Sequence, residues 1–596
     1  MSQFGKITRD SSGQHTPLNL GNAGIMNGSL PDSRRLTNAS RIGEEPVDNT
    51  SLQVTGKVGQ GSYGEVYKAY DPKRKAHVAV KSTQIPAVSS FAFNIREFDL
   101  QAMCIHPNVL RILELSIGTP FAGESPPQNS DKYRRDPIYI IFPLGQHSLL
   151  KLIKEHFSIQ YYDPEKQDNM YTNIGYMARI QILMEILLGL ENIHSHNILH
   201  RDLKPANIII MMNGGSISAQ IGDFGISCPI TSQDPMSTQV VTSWYRAPEI
   251  CMGSTSYGKA IDVWSFGCIL FEIMSGRALA YGLRDKGEDV LGGIITLLPI
   301  KPSQADADAI KTGTNQIVMD NFAKVPKTNW ADLMKFTPVK IKEFNDELSG
   351  GFNDQGTTPF ALYCDLLDRI LQINPVKRPT VYECLCHPLF RPFTLYIKSV
   401  RSIHPPVVID YSKVFVQIYS SKDRDKAKEI FMYIFDNRDK HSWYRHKILF
   451  MAIDIFDRYL YWCQYTKPSD AGKIVYGGLQ IHRSNTGRNV EQDLILRILG
   501  CLYMAIKYYT IDSCQIGFWS IVPDNFYSPE RDKEAEAFER FLLTDVLFCR
   551  VYRPTIIDIA TKSLSSQHIR RLLDNYMSLT SLVIDLDSLY TKISPD

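Results

Sequence analysis

The chain lacks a long apolar run. Nothing in its 596 residues approaches the ~20 apolar residues of a membrane-spanning helix, and Met1 to Gln14 contain no apolar signal core. It has little net charge. The 65 Lys and Arg against 63 Asp and Glu leave +2, which gives no reason to expect direct nucleic-acid binding or an anionic membrane as partner. Its 11 cysteines include no Cys-x-x-Cys pair, and Cys384-Leu385-Cys386 alone does not make a zinc site. A reducing intracellular compartment, nucleus or cytoplasm, is the expectation. No repeat recurs at a solenoid period. Apolar and charged contents of 44% and 21% are those of ordinary globular protein, and the length allows several domains.

What is present is ordered along the chain. Residues 1–50 are rich in Ser, Asn, Gly and charge without apolar periodicity, and read as a disordered tail. From Leu52 the pattern alternates, through "LQVTGKVGQGSYGEVYKAYD" and "HVAVKST", which predicts a small antiparallel sheet. The basic run Lys73 to Lys75 follows a Tyr-Asp-Pro signal and reads as a hairpin turn. "FNIREFDLQAM" has helical period, and "PIYIIFPLG" reads as a strand after a proline-containing polar stretch near 117–137. The chain then becomes mainly helical as far as "LCHPLFRPF". A second helical region runs from about Tyr411, with a polar loop near 466–488.

Several polar residues fall where a core alone would not want them. Gly59, Gly61 and Gly64 form G-x-G-x-x-G, whose backbone can approach phosphates closely. The motif lies between two strand patterns, not between a strand and a helix, so a dinucleotide fold is excluded. Lys81 ends an apolar strand and Glu97 follows on an amphipathic helix; the pair is either buried and functional or an ordinary surface ion pair. Asp202 and Asn207 share the polar segment "HRDLKPAN", and Asp223 opens "DFG". A carboxylate there can accept the proton of an attacking hydroxyl, and amide and carboxylate oxygens suit magnesium.

Together, and in this order, these segments resemble the protein-kinase signature set, with "APE" at Ala247 to Glu249, "DVWSFGC" from Asp262 and "NPVKRPT" from Asn374. The resemblance spans about Leu52 to Phe393. It implies an α+β bilobal fold: a kinase domain at 51–395 with a β-rich N-lobe at about 51–145 and a helical C-lobe at about 146–395. It implies ATP and Mg2+ as cofactors and protein substrates as partners. Gly59, Gln60, Gly61, Ser62, Tyr63, Gly64, Val66, Ala79, Lys81, Phe142 and Leu144 would line the ATP site. Lys81 would be oriented by Glu97, Asp202 would be the catalytic base, Lys204 would steady the transferred group, and Asn207 and Asp223 would hold magnesium. In the family an Arg placed like Arg378 pairs with the Glu placed like Glu249.

"VVTSWYRAPE" resembles the activation-segment end of cyclin-dependent kinases and their CMGC relatives, which implies Ser/Thr-Pro substrates. Ser62 and Tyr63 sit where that family carries an inhibitory phosphorylatable pair, or are simply polar residues at a hairpin tip. Arg96 and Arg201 match two of the three arginines that cage an activating phosphate; the third place is Cys228. Ser237 or Thr238 would carry that phosphate. With one guanidinium fewer, weaker dependence on activation-segment phosphorylation is expected.

The C-terminal region resembles a cyclin box. "KILFMAIDIFDRYL" is similar to the helix written LxLAVxxxDRFL, and "LILRILGCLYMAIKYY" to the buried central helix. "FERFLLTDVLFCRVYRPTIIDIA" resembles the end of the first box, and "SLVIDLDSLYTKISP" the start of a second. An all-α cyclin-like domain at 411–596 behind a linker at 396–410 follows. Extended, Phe393 to Ser412 would span ~60 Å at about 3.3 Å per residue. Ile95 would meet this domain. Trp443 and Tyr509 stand where the family has contact Lys and Glu, and are either interface anchors or helix core. The domain would activate the kinase in cis, with recruitment of partners as the alternative. A monomer is expected, with a swapped dimer as the third arrangement.

Overall fold

The computed structural model describes residues 52–61, 64–83, 91–117, 138–157, 174–213, 216–230, 243–281, 287–300, 303–310, 328–351, 357–408, 415–418, 422–437, 446–465, 475–476, 479–480, 490–509, 538–539, 542, 546–547, 555, 565–579 and 582–585. The tail at 1–50 lies outside them. Strands β1 (Gln53–Gly61), β2 (Gly64–Asp71), β3 (Ala76–Thr83), β4 (Glu114–Ile117) and β5 (Ile138–Pro143) form one antiparallel sheet in the order β1-β2-β3-β5-β4. Lys73 to Lys75 lie in the β2–β3 turn, where the Asp71 carboxylate accepts from the Lys73 and Arg74 amides. Alternation decides the faces of the sheet. Val78 and Val80 join Leu52, Ala69, Tyr139 and Ile141 in a small core on one side. Ala79 and Lys81 are thereby turned to the other side, where Ile140 and Phe142 meet the main core and helix α1 (Phe91–Met103).

The second lobe is built round α3 (Tyr176–Ser195) and α5 (Ala260–Ser275). Both are apolar nearly all round, and α5 is buried from Ile261 to Ser275, as such a helix must be. The short α2 (Leu149–Leu152) follows β6 (His147–Ser148), which joins β8 (Ile208–Asn213) and β9 (Ser216–Ile221) in a small sheet; β7 (Ile198–Leu199) pairs with β10 (Cys228–Pro229). Around them lie α4 (Pro248–Cys251), α6 (Gly287–Leu297), α7 (Gln304–Ile310), α8 (Trp330–Met334), α9 (Pro338–Leu348), α10 (Pro359–Ile370) and α11 (Val381–Leu385). Their starts are written locally. Thr337 and Thr358 cap helices that carry proline in the first turn, and Thr380 and Glu383 form a reciprocal capping box.

The stretch expected as a linker at 396–410 begins as helix. Thr394–Ile403 forms α12 because Ile397 and Val400, three apart, share a buried face. Arg401 donates to the Glu191 carboxylate at 3.0 Å, and the His404 ring meets His106 edge-on. Less chain is therefore left to bridge to the next region than the extended estimate supposed.

The C-terminal region holds β11 (Phe415–Ile418), α13 (Lys422–Asp436), α14 (His446–Tyr465), β12 (Val475–Tyr476), β13 (Leu479–Gln480), α15 (Val490–Tyr509), α16 (Ser566–Met577) and β14 (Leu582–Asp585). Helices α14 and α15 pack together, burying Leu449, Ala452 and Phe456 with Leu499, Leu502 and Ile506 in one core. Gly500 is required there, since a Cβ would meet the Phe538 ring at 2.6 Å. Buried Arg424 of α13 donates to Asp457 of α14 at 2.9 Å and to the carbonyls of Tyr576 and Met577, tying three helices. The all-α expectation needs correction. β11 pairs antiparallel with β14, Phe415 opposite Asp585. "LVID" was expected to open a second box, but this short run with β-branched Val583 and Ile584 forms a strand that brings the two ends of the region together.

Candidate active site

The sheet register sets the first part of the site. Gly61 faces Gly64, Gly59 faces Val66, Val66 faces Lys81, and Ala79 faces Phe142 across neighbouring strands. The backbone of Gln60 lies in β1. Val66, Ala79 and Leu144 are half-buried and Phe142 is buried. Ser62 and Tyr63, at the hairpin tip, lie outside the described residues.

Lys81 does not make a surface ion pair. Its Nζ donates to Glu97 Oε1 at 2.6 Å and to Asp223 Oδ1 at 2.8 Å. Burial works against the ammonium, but Asp223 and Glu97 prevail and raise it above its ordinary value. Burial also acts to raise Asp223, yet the Lys81 charge holds this 39% exposed carboxylate down at about 2. Glu97 is raised, burial outweighing Lys81. Two carboxylates thus share one cation, which ties the first lobe to the segment after β9.

The second part hangs on one buried acid. Asp262, at the start of apolar α5, accepts from His194 Nε2 at 2.9 Å and from the amides of His200 at 3.0 Å and Arg201 at 2.9 Å. This holds Arg201 at φ 64, a left-handed conformation costly for any residue but glycine. His200 Nε2 is 3.0 Å from the Gly222 carbonyl, and its ring stands edge-on to Phe224. Asp202 follows. Its Oδ2 accepts from Lys204 Nζ at 2.7 Å and from Asn207 Nδ2 at 3.0 Å. Asp223 also has positive φ, 61°.

The donor set suits magnesium. Both bonds of the Asn207 amide to Asp202 are made by Nδ2, so its carbonyl oxygen and the Asp223 carboxylate are the hard oxygen ligands on offer. No group of three or more His, Cys, Asp or Glu that could hold a metal occurs among the described residues. A two-oxygen set fits an ion that takes its remaining ligands from water and substrate phosphates. Away from this site, Arg378 grips Glu249 through two bonds of 2.7 and 2.8 Å and lies over the Trp264 ring.

The regulatory expectations fare differently. Ser237, Thr238 and Trp443 lie outside the described residues, and Tyr509 lies in α15 with its side chain outside them. Ile95 is fully buried on α1. Each of the two expected cage arginines bonds a main-chain oxygen. Arg96 Nη1 donates to the Tyr508 carbonyl at 2.8 Å, and Arg201 donates to the Ile226 carbonyl at 2.8 Å and the Tyr257 hydroxyl at 3.1 Å. Among the described residues, polar contacts to the C-terminal region come from Tyr508 and Lys447. The Tyr508 hydroxyl donates to Asp99 at 2.9 Å, and Lys447 Nζ donates to the Ile230 carbonyl at 3.0 Å. Sequence reasoning missed Asp99, Asp262, Lys447 and Tyr508. Only Asp262 left a signal, a carboxylate at the start of a mostly apolar helix.

Among the described residues no helix is long and apolar enough to cross a membrane. The model of the family described as "Protein kinase domain" matches residues 52–390. The chain is 30% identical over 407 residues to a mitogen-activated protein kinase homolog of Nicotiana tabacum, covering 66% of this chain and 92% of that protein. It is 28% identical over 363 residues to cyclin-dependent kinase C-3 of Oryza sativa, covering 60% and 97%. It is 30% identical over 368 residues to the serine/threonine-protein kinase ssn3 of Aspergillus terreus, covering 57% and 76%. The closed lysine–glutamate pair, the loop around Asp202 and these similarities agree: the chain belongs to the protein kinase family, as a serine/threonine kinase of the CMGC group.

Proposed function

We propose that this kinase is of the cyclin-dependent type, phosphorylates Ser/Thr-Pro sites, and is activated in cis by its own C-terminal helical region. Protein kinases use ATP and Mg2+. In this reading Lys81 binds nucleotide phosphates and Glu97 orients it. Asp202 accepts the proton of the substrate hydroxyl. Lys204, which shares the Asp202 carboxylate, lies ready to steady the transferred phosphoryl group. Asn207 and Asp223 would hold magnesium, whose charge, when bound, neutralises that of the phosphates. The chain's own contribution is positioning: a Lys81 held between two carboxylates and a base fixed by Lys204 and Asn207.

The observation that carries cis activation is the position of α1. One side of this helix presents Glu97 to Lys81, while Arg96 and Asp99 bond the main chain and hydroxyl of Tyr508 in α15. Such a brace favours the conformation in which the catalytic pair is closed. The test uses two full-length variants on a Ser-Pro peptide. Tyr508→Phe should lose about tenfold in kcat/KM, the cost of one buried hydrogen bond to a carboxylate, and Tyr508→Ala more. Wild-type activity in both would leave the C-terminal region a recruiter. A Ser-Ala peptide phosphorylated as well as Ser-Pro would remove the proline preference.

A further inference from the structure

We propose that Lys447 is a positioning residue for phosphoryl transfer, reaching from the C-terminal region to hold the activation segment by its own backbone. This rests on the cis-activation reading and adds the atom through which part of it acts.

Three cations converge on the stretch that follows Asp223. Arg201 Nε donates to the Ile226 carbonyl at 2.8 Å, Lys447 Nζ to the Ile230 carbonyl at 3.0 Å, and Arg96 Nη2 makes a longer contact of 3.5 Å with the Gly225 carbonyl. All three side chains belong to buried residues, Lys447 only 3% exposed. Burying a lysine costs free energy that only acceptors for its ammonium offset. Lys447 stands in the first turn of α14, where the helix dipole disfavours a cation. Its place makes sense through what it grips.

The gripped stretch is tied at other points to the loop that carries Asp202. Cys228 and Pro229 pair with Leu199 and Ile198, the Ile230 amide donates to the Asn197 carbonyl at 2.7 Å, and Ser227 Oγ donates to the His200 carbonyl at 3.1 Å. A pull at Ile230 is therefore felt on β10 and on β7, the strand that leads into the catalytic loop. Arg96 and Arg201 stand where relatives bind an activating phosphate, yet here they spend donors on carbonyl oxygens. With Lys447 as the third cation, the backbone supplies the acceptors, and the hold does not wait for a phosphate.

The test compares full-length Lys447→Met and Lys447→Arg with wild type on a Ser-Pro peptide, reading kcat, both KM values and Tm. Lys447→Met should lower kcat/KM for the peptide about ten- to hundredfold with KM for ATP within about twofold, because the Lys81 site is held separately. Lys447→Arg, which keeps a donor, should recover most of the loss. Wild-type kinetics in Lys447→Met would overturn the proposal. So would a loss that Lys447→Arg does not recover and that follows a fall in Tm, which would make Lys447 structural. If Tyr508→Ala is inactive while Lys447→Met is normal, this inference fails and cis activation stands. If both variants are normal, both fail.

Discussion

Asp262→Asn should damage both the stability of the kinase lobe and its turnover. The buried carboxylate accepts three hydrogen bonds, from His194 Nε2 and the His200 amide on Oδ2 and from the Arg201 amide on Oδ1. Burial opposes its ionisation, but the His194 bond leads the groups that hold its pKa below the ordinary value, so it is a carboxylate. Asparagine has one acceptor oxygen. If that oxygen keeps His194 and His200, its amide meets the Arg201 N–H donor to donor; if it keeps Arg201, two bonds are lost. Hydrogen bonds to charged groups are worth about 1.5–3 kcal/mol each, so the loss of one bond and of charge assistance in the others comes to about 3–5 kcal/mol. At roughly 2 °C per kcal/mol for a large domain, Tm should fall by about 6–10 °C. Arg201, held at φ 64, should relax and carry Asp202 with it, lowering kcat on a Ser-Pro peptide by about a hundredfold even well below Tm. Differential scanning calorimetry and steady-state kinetics read the two effects. An asparagine variant within 2 °C of wild type and within threefold in kcat would refute the argument.

Glu185 gives a pH signature. Burial pushes its carboxyl up from 4.5 to about 7, against the bonds from Gln181 and the Ala219 amide. A carboxyl with a raised folded pKa contributes stability that is full below pH 4.5 and fades as pH rises through 7, so wild type should lose ~3 kcal/mol relative to Glu185→Gln between pH 4.5 and 7.5, and parallel urea curves would contradict this. Gly189→Ala should destabilise by several kcal/mol, because a Cβ would sit 2.4 Å from the Asn108 carbonyl oxygen, which accepts from the Ile221 amide; an unchanged Tm would refute the fit. Activity of the phosphatase-treated protein, or of a Ser237→Ala, Thr238→Ala double variant, should stay within about threefold of wild type on a Ser-Pro peptide, and complete loss would show that a phosphate is required.

The active site was more legible than the regulation, for a physical reason. Residues that the family resemblance assigns to nucleotide and magnesium sit at fixed offsets along short loops, so Gly59 to Gly64, Asp202 to Asn207 and Asp223 can be read as strings. The partner of Lys81 could be read only as a choice, since "REF" on an amphipathic helix suits a surface pair as well as a buried one. Contacts of the C-terminal region were less legible. Trp443 and Tyr509 came from resemblance to a motif, and their side chains lie outside the described residues. Lys447 and Tyr508, which bond the Ile230 carbonyl and Asp99, were not singled out, because helix rotation, not spacing, decides which side chain faces a neighbouring element. The segment "LVID" misled for another reason. A short apolar run closed by an acid suits a strand or a helix start, and pairing with Phe415–Ile418 makes it a strand.

By itself the sequence determined a protein kinase domain, the order of its catalytic segments and a second helical region behind it. Those follow from local patterns: alternation for the sheet, near-continuous apolarity for α3 and α5, and polar residues at exact offsets in the loops between. Tertiary structure alone decided which charges share a site. Lys81 meets a carboxylate 142 residues away, Arg96 a carbonyl 412 residues away, and Lys447 a carbonyl 217 residues away. No local preference encodes such pairings. They arise when buried apolar faces of α1, the helical lobe and the C-terminal region close into one core, leaving each buried cation to find its acceptor across it.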